Sequence, residues 1–306
     1  MSYHIITIES PTAELDCVHG QFVCMSDAGT RQIPLDDVGA IVVCSFSAKI
    51  EMRLLIEAAK RGIGVILCET FKPVCIVLPA IRSTDTLLTR CWERANPKFL
   101  KALWQKTLDA KCHNQGVLAS VWDPGSPAVA DIGTQKFLRY RARESTVSRL
   151  FWSVFRKHLN AEDFLRSRGR DLVNSLLDYG YSVLLARILQ LCYAYGLDPT
   201  FGIGHATAER STPLAYDLME PFRPLVDARV MSWLKSRPDT LPLELNKAFK
   251  LHLLPFLQER ILYEDAYQQA QTVMEHSIRS FRKSLLENEI ESYEPWMAID
   301  SKWAGC

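Results

Sequence analysis

Two acids three residues apart, Asp217 and Glu220, sit in "PLAYDLMEPFRPLVD" (213–227) among apolar neighbours and prolines. On a helix that spacing puts both carboxylates on one face. Two close carboxylates repel, and one takes up a proton unless a cation holds both. Divalent metals bound through oxygen suit such a pair. A solvated helix face, with Arg223 offsetting the charge, accounts for the same spacing. Ser211 or Thr212 can cap this helix, and Pro213 suits its first turn.

Two further residues have metal-ligating chemistry. In "RARESTVSRLFWSVF", Val147, Phe151, Val154 and Phe155 form an apolar helical stripe, and Glu144 lies one turn before it on the same face. A carboxylate there must be paired, bound to a cation or left at an exposed helix end; Arg141 and Arg143 are the nearest partners. In "GLDPTFGIGHA", Gly196 can close a helix, and Gly202 and Gly204 let the chain approach closely before His205. His is a common metal ligand, although a loop His is more often simply exposed.

Charge is clustered as well. From Lys136 to Arg170 there are ten Lys or Arg and three acids, against a net charge of +1 for the 306-residue chain. A phosphate backbone is the natural partner of clustered arginine, and a solvated basic helix is the plainer reading. The interleaved aromatics repeat like packing residues.

These residues need elements to hold them. "YHIITIE", "QFVCMS", "AIVVCSF", "GIGVILCE" and "FKPVCIVLPA" read as strands, with a turn at Asp27-Ala28-Gly29. "KIEMRLLIEAAKRG" reads as a helix with Met52, Leu55, Ile56 and Ala59 on its apolar face and Gly62 at its end. After about residue 84 the pattern turns helical. Asn96-Pro97 marks a helix start, residues 122–133 a loop, and helices dominate from Thr134 to about Glu291. The tail "YEPWMAIDSKWAGC" has no period; it reads as disordered or as a docking segment, with disorder the default for a terminus. The expected fold is α+β: a β-rich domain over 1–83, then a helical domain over 84–306.

Composition is that of an ordinary globular protein. The nine cysteines lack any C-x-x-C pair, which argues against a zinc ribbon and fits small buried residues in a reducing cytosol. The start has no signal-peptide pattern, and no run of about 18 apolar residues marks a membrane span.

Taken together, the Glu144 helix, "AKCHNQ" near 110, N-x-L-L-x-Y-G-Y (Asn174 to Tyr181), G-x-x-H and Y-D-L-M-E-P-F-R-P resemble, in order and spacing, the CRISPR-associated integrase family. That family supplies the catalytic subunit of the spacer-acquisition complex. The resemblance implies Glu144, His205 and Glu220 as ligands of Mg²⁺ or Mn²⁺, with Glu a tolerated variant at the second acid position. Asp217 becomes a further ligand or a group orienting His205. It also implies an N-terminal dimerisation domain, a homodimer and a small ferredoxin-like partner subunit. The implied substrates are double-stranded DNA with 3′ ends and repeat DNA, which are joined by transesterification. Arg139, Arg141, Arg143, Tyr216 and Arg223 are expected at the DNA. A metal nuclease without an integration role and a catalytically silent DNA-binding subunit are the alternatives. Without metal, Glu144, Asp217 and Glu220 should repel one another, so that one titrates high or the His205 loop moves.

Overall fold

A computed structural model describes residues 4–69, 72–77, 83–134, 140–166, 171–205, 212–236 and 247–305. The fold is α+β, and the chain divides into two compact units. One holds residues 1–94 with 186–201; the other holds 95–185 with 202–306. The expected boundary after residue 83 is therefore replaced by a later one, and a helical segment from further along the chain joins the strand unit.

In the strand unit, β1 (His4–Ile8) is followed by β2 (Glu14–Val18), β3 (Gln21–Ser26), β4 (Gly29–Pro34), β5 (Val38–Val43) and β6 (Lys49–Ile50). After α1 (Met52–Lys60) come β7 (Gly64–Glu69), β8 (Lys72–Val77) and α2 (Ser83–Arg94). One sheet runs β1-β5-β7-β8, parallel except for its last pair; the other runs β4-β3-β2-β6. Central β5 is buried on both faces, which is why "VGAIVV" shows no alternation. Its Ile41 and Val43 meet Leu15, Phe22 and Leu54 in one core cluster, while Ala40 and Val42 meet Ile66 and Cys68 in a second.

Sequence reading missed β2, β4 and β6; Lys49 and Ile50 form β6 instead of the start of the expected helix. In β2 the inward residues Leu15 and Cys17 do alternate with outward ones. β4 is almost wholly exposed and is held by its hairpin register with β3 across the anticipated turn. The face of α1 also differs from expectation: Leu54 and Ala58 are buried, whereas Met52 and Ile56 face solvent. Gly62, at φ +75°, closes the helix as expected.

In the helical unit α3 (Pro97–Trp122) starts as anticipated. The Asn96 side chain caps it by accepting from Lys98 N at 2.8 Å. The expected loop 122–133 shrinks to a short turn, because Pro127 opens α4 (Pro127–Thr134). Then follow α5 (Tyr140–Leu159), α6 (Leu172–Ala194), α7 (Pro213–Met219), α8 (Arg223–Ser236), α9 (Lys247–Leu253), β9 (Arg260–Tyr263), β10 (Ala266–Gln269) and α10 (Ala270–Glu287). α6 belongs to this unit up to Leu185.

α8 is buried on most sides, polar Asp227 included. The β9–β10 hairpin was not foreseen; its turn carries Glu264 at φ +53° in place of the Asn-Gly signal that would have marked it. The tail is a correction too. Tyr293 and Trp296 are fully buried, and Trp296 stacks on Phe222 at 5.7 Å. Among the described residues, no helix is long and apolar enough to cross a membrane.

Candidate active site

The site is assembled on one stripe of α3. Trp104, Thr107, Lys111 and Asn114 recur at helical spacing and each touches a different part of it. The Trp104 ring meets His205 edge-on at 5.7 Å. Thr107 Oγ1 lies 3.1 Å from the Tyr293 hydroxyl. Asn114 donates to the carbonyls of Pro221 (2.8 Å) and Trp296 (3.0 Å) and accepts from Ala298 N. It thereby ties the tail to the turn that carries Glu220.

Lys111 joins the two glutamates. Its ammonium is 2.7 Å from Glu144 Oε1 and 2.8 Å from Glu220 Oε2. Glu144 sits on α5 before the buried Val147, Phe151, Val154 and Phe155, and of the options its place on that stripe left open, pairing, a bound cation or an exposed helix end, the structure shows pairing. The partner is Lys111, helped by the Ser148 hydroxyl, which donates at 3.1 Å. Glu220 is almost wholly buried on a short 3-10 turn between α7 and α8, and Arg223 Nη1 donates to its Oε1 at 2.9 Å. Burial pushes the Glu220 carboxyl up, but Arg223 and Lys111 overcome this and hold it at about 2. Burial likewise disfavours charge on Lys111, and Glu220 and Glu144 reverse that, leaving it above the ordinary lysine value. The expectation that mutual repulsion raises an acid therefore fails at Glu220: the fold supplies two cations that the helix periodicity of residues 213–227 did not weigh together.

Asp217 has a different environment, although it is only three residues away. Its Oδ2 accepts from the backbone of Ile203 (2.7 Å) and Gly204 (2.9 Å); its Oδ1 accepts from His205 N (3.0 Å) and His205 Nδ1 (2.6 Å). Four hydrogen bonds occupy this fully buried carboxylate. The helix tightens after Met219, and the two acids part to separate partners rather than holding one cation between them. With Nδ1–H donated to Asp217, a neutral imidazole keeps its lone pair at Nε2.

The glycines before His205 serve close packing. A Cβ at Gly204 would lie 2.3 Å from the Trp104 ring, and one at Gly202 would lie 2.4 Å from His205 O. Thr212 is the N-cap of α7, without a side-chain cap bond, and Pro213 opens the helix; Ser211 lies outside the described residues.

A supporting network explains the tyrosine motif. Arg223 lies over the Tyr181 ring at 4.3 Å, and Arg166 over the same ring at 5.4 Å. The Tyr181 hydroxyl donates to buried Asp227. Burial raises the Asp227 carboxyl to about 6, against the lowering by Tyr181, Arg223 and Arg166. Asn174 accepts from Arg166 at 2.6 Å, and Asp178 pairs with the same guanidinium at 2.5 Å. Gly180 is needed because a Cβ there would lie 2.4 Å from Val226.

The expected DNA contacts fare unevenly. Arg139 lies outside the described residues, as do the side chains of Arg141 and Arg143. Arg223 pairs with Glu220 and lies over the Tyr181 ring. Tyr216 lies beside His205, with ring centroids 6.3 Å apart. Within the basic segment, Lys157 pairs with Asp123 and Arg166 with Asp178, which reduces the free charge. Trp152, Phe155 and Phe164 pack on one another as core residues.

A divalent metal is implied by the residue types, and the donor set fits it in part. Among the described residues no three His, Cys, Asp or Glu side chains converge on one point. Two carboxylates do share one cation, however, and Glu220 Oε2 is buried with no aligned hydrogen bond. An imidazole held through Nδ1, whose Nε2 makes no hydrogen bond among the described residues, sits on the loop before α7. Two oxygens and one nitrogen of these kinds suit Mn²⁺ or Mg²⁺. Lys111, Asn114 and Asp227 were not singled out by the sequence. The signal was present for the first two, as polar residues at helical spacing on a stripe shared with Leu103, Ala110 and Leu118, all buried.

A family model described as "CRISPR associated protein Cas1" matches residues 6–240. CRISPR-associated endonuclease Cas1 of Neisseria meningitidis serogroup C is 26% identical over 279 residues, 87% of either chain. Among solved structures, a casposase bound to integration product superposes with a TM-score of 0.73 at 18% identity, covering 96% of this chain and 99% of that one. A chain of a partial Cas6-RT-Cas1–Cas2 complex gives 0.69 at 14% identity, covering 97% and 99%. At these identities the structural likenesses speak for the fold.

Proposed function

The chain belongs to the CRISPR-associated Cas1 family, and from that premise we propose that it is a metal-dependent DNA endonuclease and integrase of CRISPR adaptation. The observation that carries this reading is the meeting of Glu144 and Glu220 at one cation position, with an imidazole fixed by Asp217 on the neighbouring loop. Glu144, Glu220 and His205 through Nε2 would hold Mg²⁺ or Mn²⁺. Such an ion supplies Lewis acidity to a phosphoryl oxygen and orients an attacking hydroxyl.

The chain's own residues do the rest. Asp217 fixes the ring and the backbone of residues 203–205. Arg223, backed by Tyr181, keeps Glu220 ionised and aimed. Asn114 anchors the turn beneath it. A 3′-hydroxyl of a captured fragment attacks a phosphodiester at the repeat boundary; one phosphodiester forms as another breaks, and the leaving 3′-oxygen takes up the proton. Water in place of that hydroxyl gives hydrolysis. The substrates are double-stranded DNA with 3′ ends and repeat DNA. The working form is a homodimer joined by the small adaptation subunit; the likeness to a chain of a Cas1–Cas2 assembly supports the partner-subunit part of this reading.

The test is strand transfer of a 3′-hydroxyl fragment into repeat DNA, with Mn²⁺, with Mg²⁺ and with excess chelator. Joining that needs the metal supports the reading, and full activity in chelator contradicts it. Metal-dependent cleavage without joining would instead mark a nuclease with no integration role.

A further inference from the structure

Between Glu144 and Glu220 stands the ammonium of Lys111, on a side chain only 8% exposed. We propose that Lys111 is a resident cation, which keeps the unloaded site folded and which a divalent metal must displace from the two carboxylates. This rests on the metal reading above.

Three observations carry it. First, lysine is almost never buried unless paired, and both ion pairs the structure gives Lys111 are with these glutamates. A hydrocarbon side chain in its place would leave the carboxylates facing each other across an apolar gap. Second, Glu220 does not need Lys111 for its orientation, because Arg223 holds Oε1. The Lys111 ammonium instead meets Oε2, at 2.8 Å, the oxygen that Arg223 leaves open. Any stronger cation can replace a contact of that kind. Third, an ammonium on a flexible four-carbon stem can swing away without moving the helix, which a stacked guanidinium such as Arg223 cannot do. The way out lies on the side of Glu144, whose side chain is 31% exposed, against 5% for Glu220.

Metal affinity is then a difference between two cations competing for the same oxygens. Lys111 lowers it, and in exchange the empty site carries no unbalanced buried charge.

The experiment uses the full-length protein without DNA, so catalysis plays no part. Mn²⁺ binding is measured by titration calorimetry for wild type and Lys111→Met, which is unbranched, shorter by one heavy atom and uncharged. The folded variant is expected to bind at least about tenfold more tightly, since each tenfold corresponds to the loss of roughly 1.4 kcal/mol of competition. Its Tm should fall without metal and rise with Mn²⁺ by more than that of wild type. Equal or weaker binding by the folded variant overturns the proposal.

If the variant does not fold, amine labelling of wild type read by mass spectrometry decides. Lys111 should become more reactive when Mn²⁺ is added, and unchanged or lower reactivity overturns the proposal. Mn²⁺ binding by wild type without these changes sinks only the displacement idea. No Mn²⁺ binding by either protein sinks the metal reading with it.

Discussion

Asp217 near the end of α7 and Glu220 in the 3-10 turn that follows are three residues apart, yet the fold treats them in opposite ways. Around Asp217, neutral backbone donors and one imidazole fill every position on a fully buried carboxylate. Around Glu220, two full positive charges do the holding, and one oxygen keeps no aligned hydrogen bond. The first arrangement is geometric and fixes a loop. The second is electrostatic and exchangeable, because one cation can stand in for another. Two acids at i and i+3 thus divide by partner: Asp217 holds the backbone of residues 203–205 and the His205 ring, and Glu220 meets two side-chain cations.

Substitutions can break that division, and the largest effect is expected at Glu220. Glu220→Gln keeps size and hydrogen bonding but removes the charge that Lys111, Arg223 or a metal would meet. Strand transfer should fall more than ~100-fold, beyond what the loss of an outer partner costs. DNA binding should survive when read by gel shift at constant salt, and binding lost along with activity would mean a general role in folding.

Asp217→Asn should cost about 10–100-fold, as expected for a partner that orients a ligand. Its amide would turn a donor toward donating N–H groups and leave buried polar atoms unpaired, at about 1–3 kcal/mol. Thermal melts should therefore show a clear drop, while excess Mn²⁺ recovers part of the activity. A drop in activity with no change in melting would argue that Asp217 touches the metal itself.

Asn114→Ala removes three hydrogen bonds that tie Pro221 to the tail. It should destabilise by about 1–3 kcal/mol, with a smaller loss of activity. Unaltered stability would show that the tail is not anchored to the Glu220 turn.

The smallest effect concerns pH. Asp227 is raised from 3.8 to about 6 in the fold, so between roughly pH 4 and 6 the folded state binds more protons there than the unfolded chain does. Its contribution to stability therefore falls as pH rises through that window. Glu220 acts in the opposite sense and lower down: held at about 2, it contributes stability above its unfolded value of 4.5 that is lost as pH falls toward 2. Asp227→Asn should flatten the dependence of Tm between pH 4 and 6, and an unchanged slope would refute the raised value.

The sequence made the periodic parts of the molecule legible. The β5 and β7 runs, the Asn96 cap, the Glu144 stripe and the Pro213 start of α7 all follow from local pattern. What escaped depended on long-range partners. β4 has little apolar signal and exists through its pairing with β3. Tyr293 and Trp296 look like an irregular tail until Thr107, Asn114 and Phe222 receive them. Glu220 and Lys111 are more than a hundred positions apart, and no local rule announces that one neutralises the other. Asp217 was readable as an acid close to His205 in the chain, but its hydrogen bonds follow only from the way the backbone of residues 203–205 folds onto it.

Strand transfer by folded Glu220→Gln and Asp217→Asn, measured side by side across an Mn²⁺ titration, tests the division between the two acids most directly. The division predicts that excess Mn²⁺ raises the activity of Asp217→Asn toward that of wild type and leaves Glu220→Gln inactive at every concentration. Near-normal activity of Glu220→Gln at limiting Mn²⁺, or an Asp217→Asn defect that no Mn²⁺ concentration relieves, would contradict it.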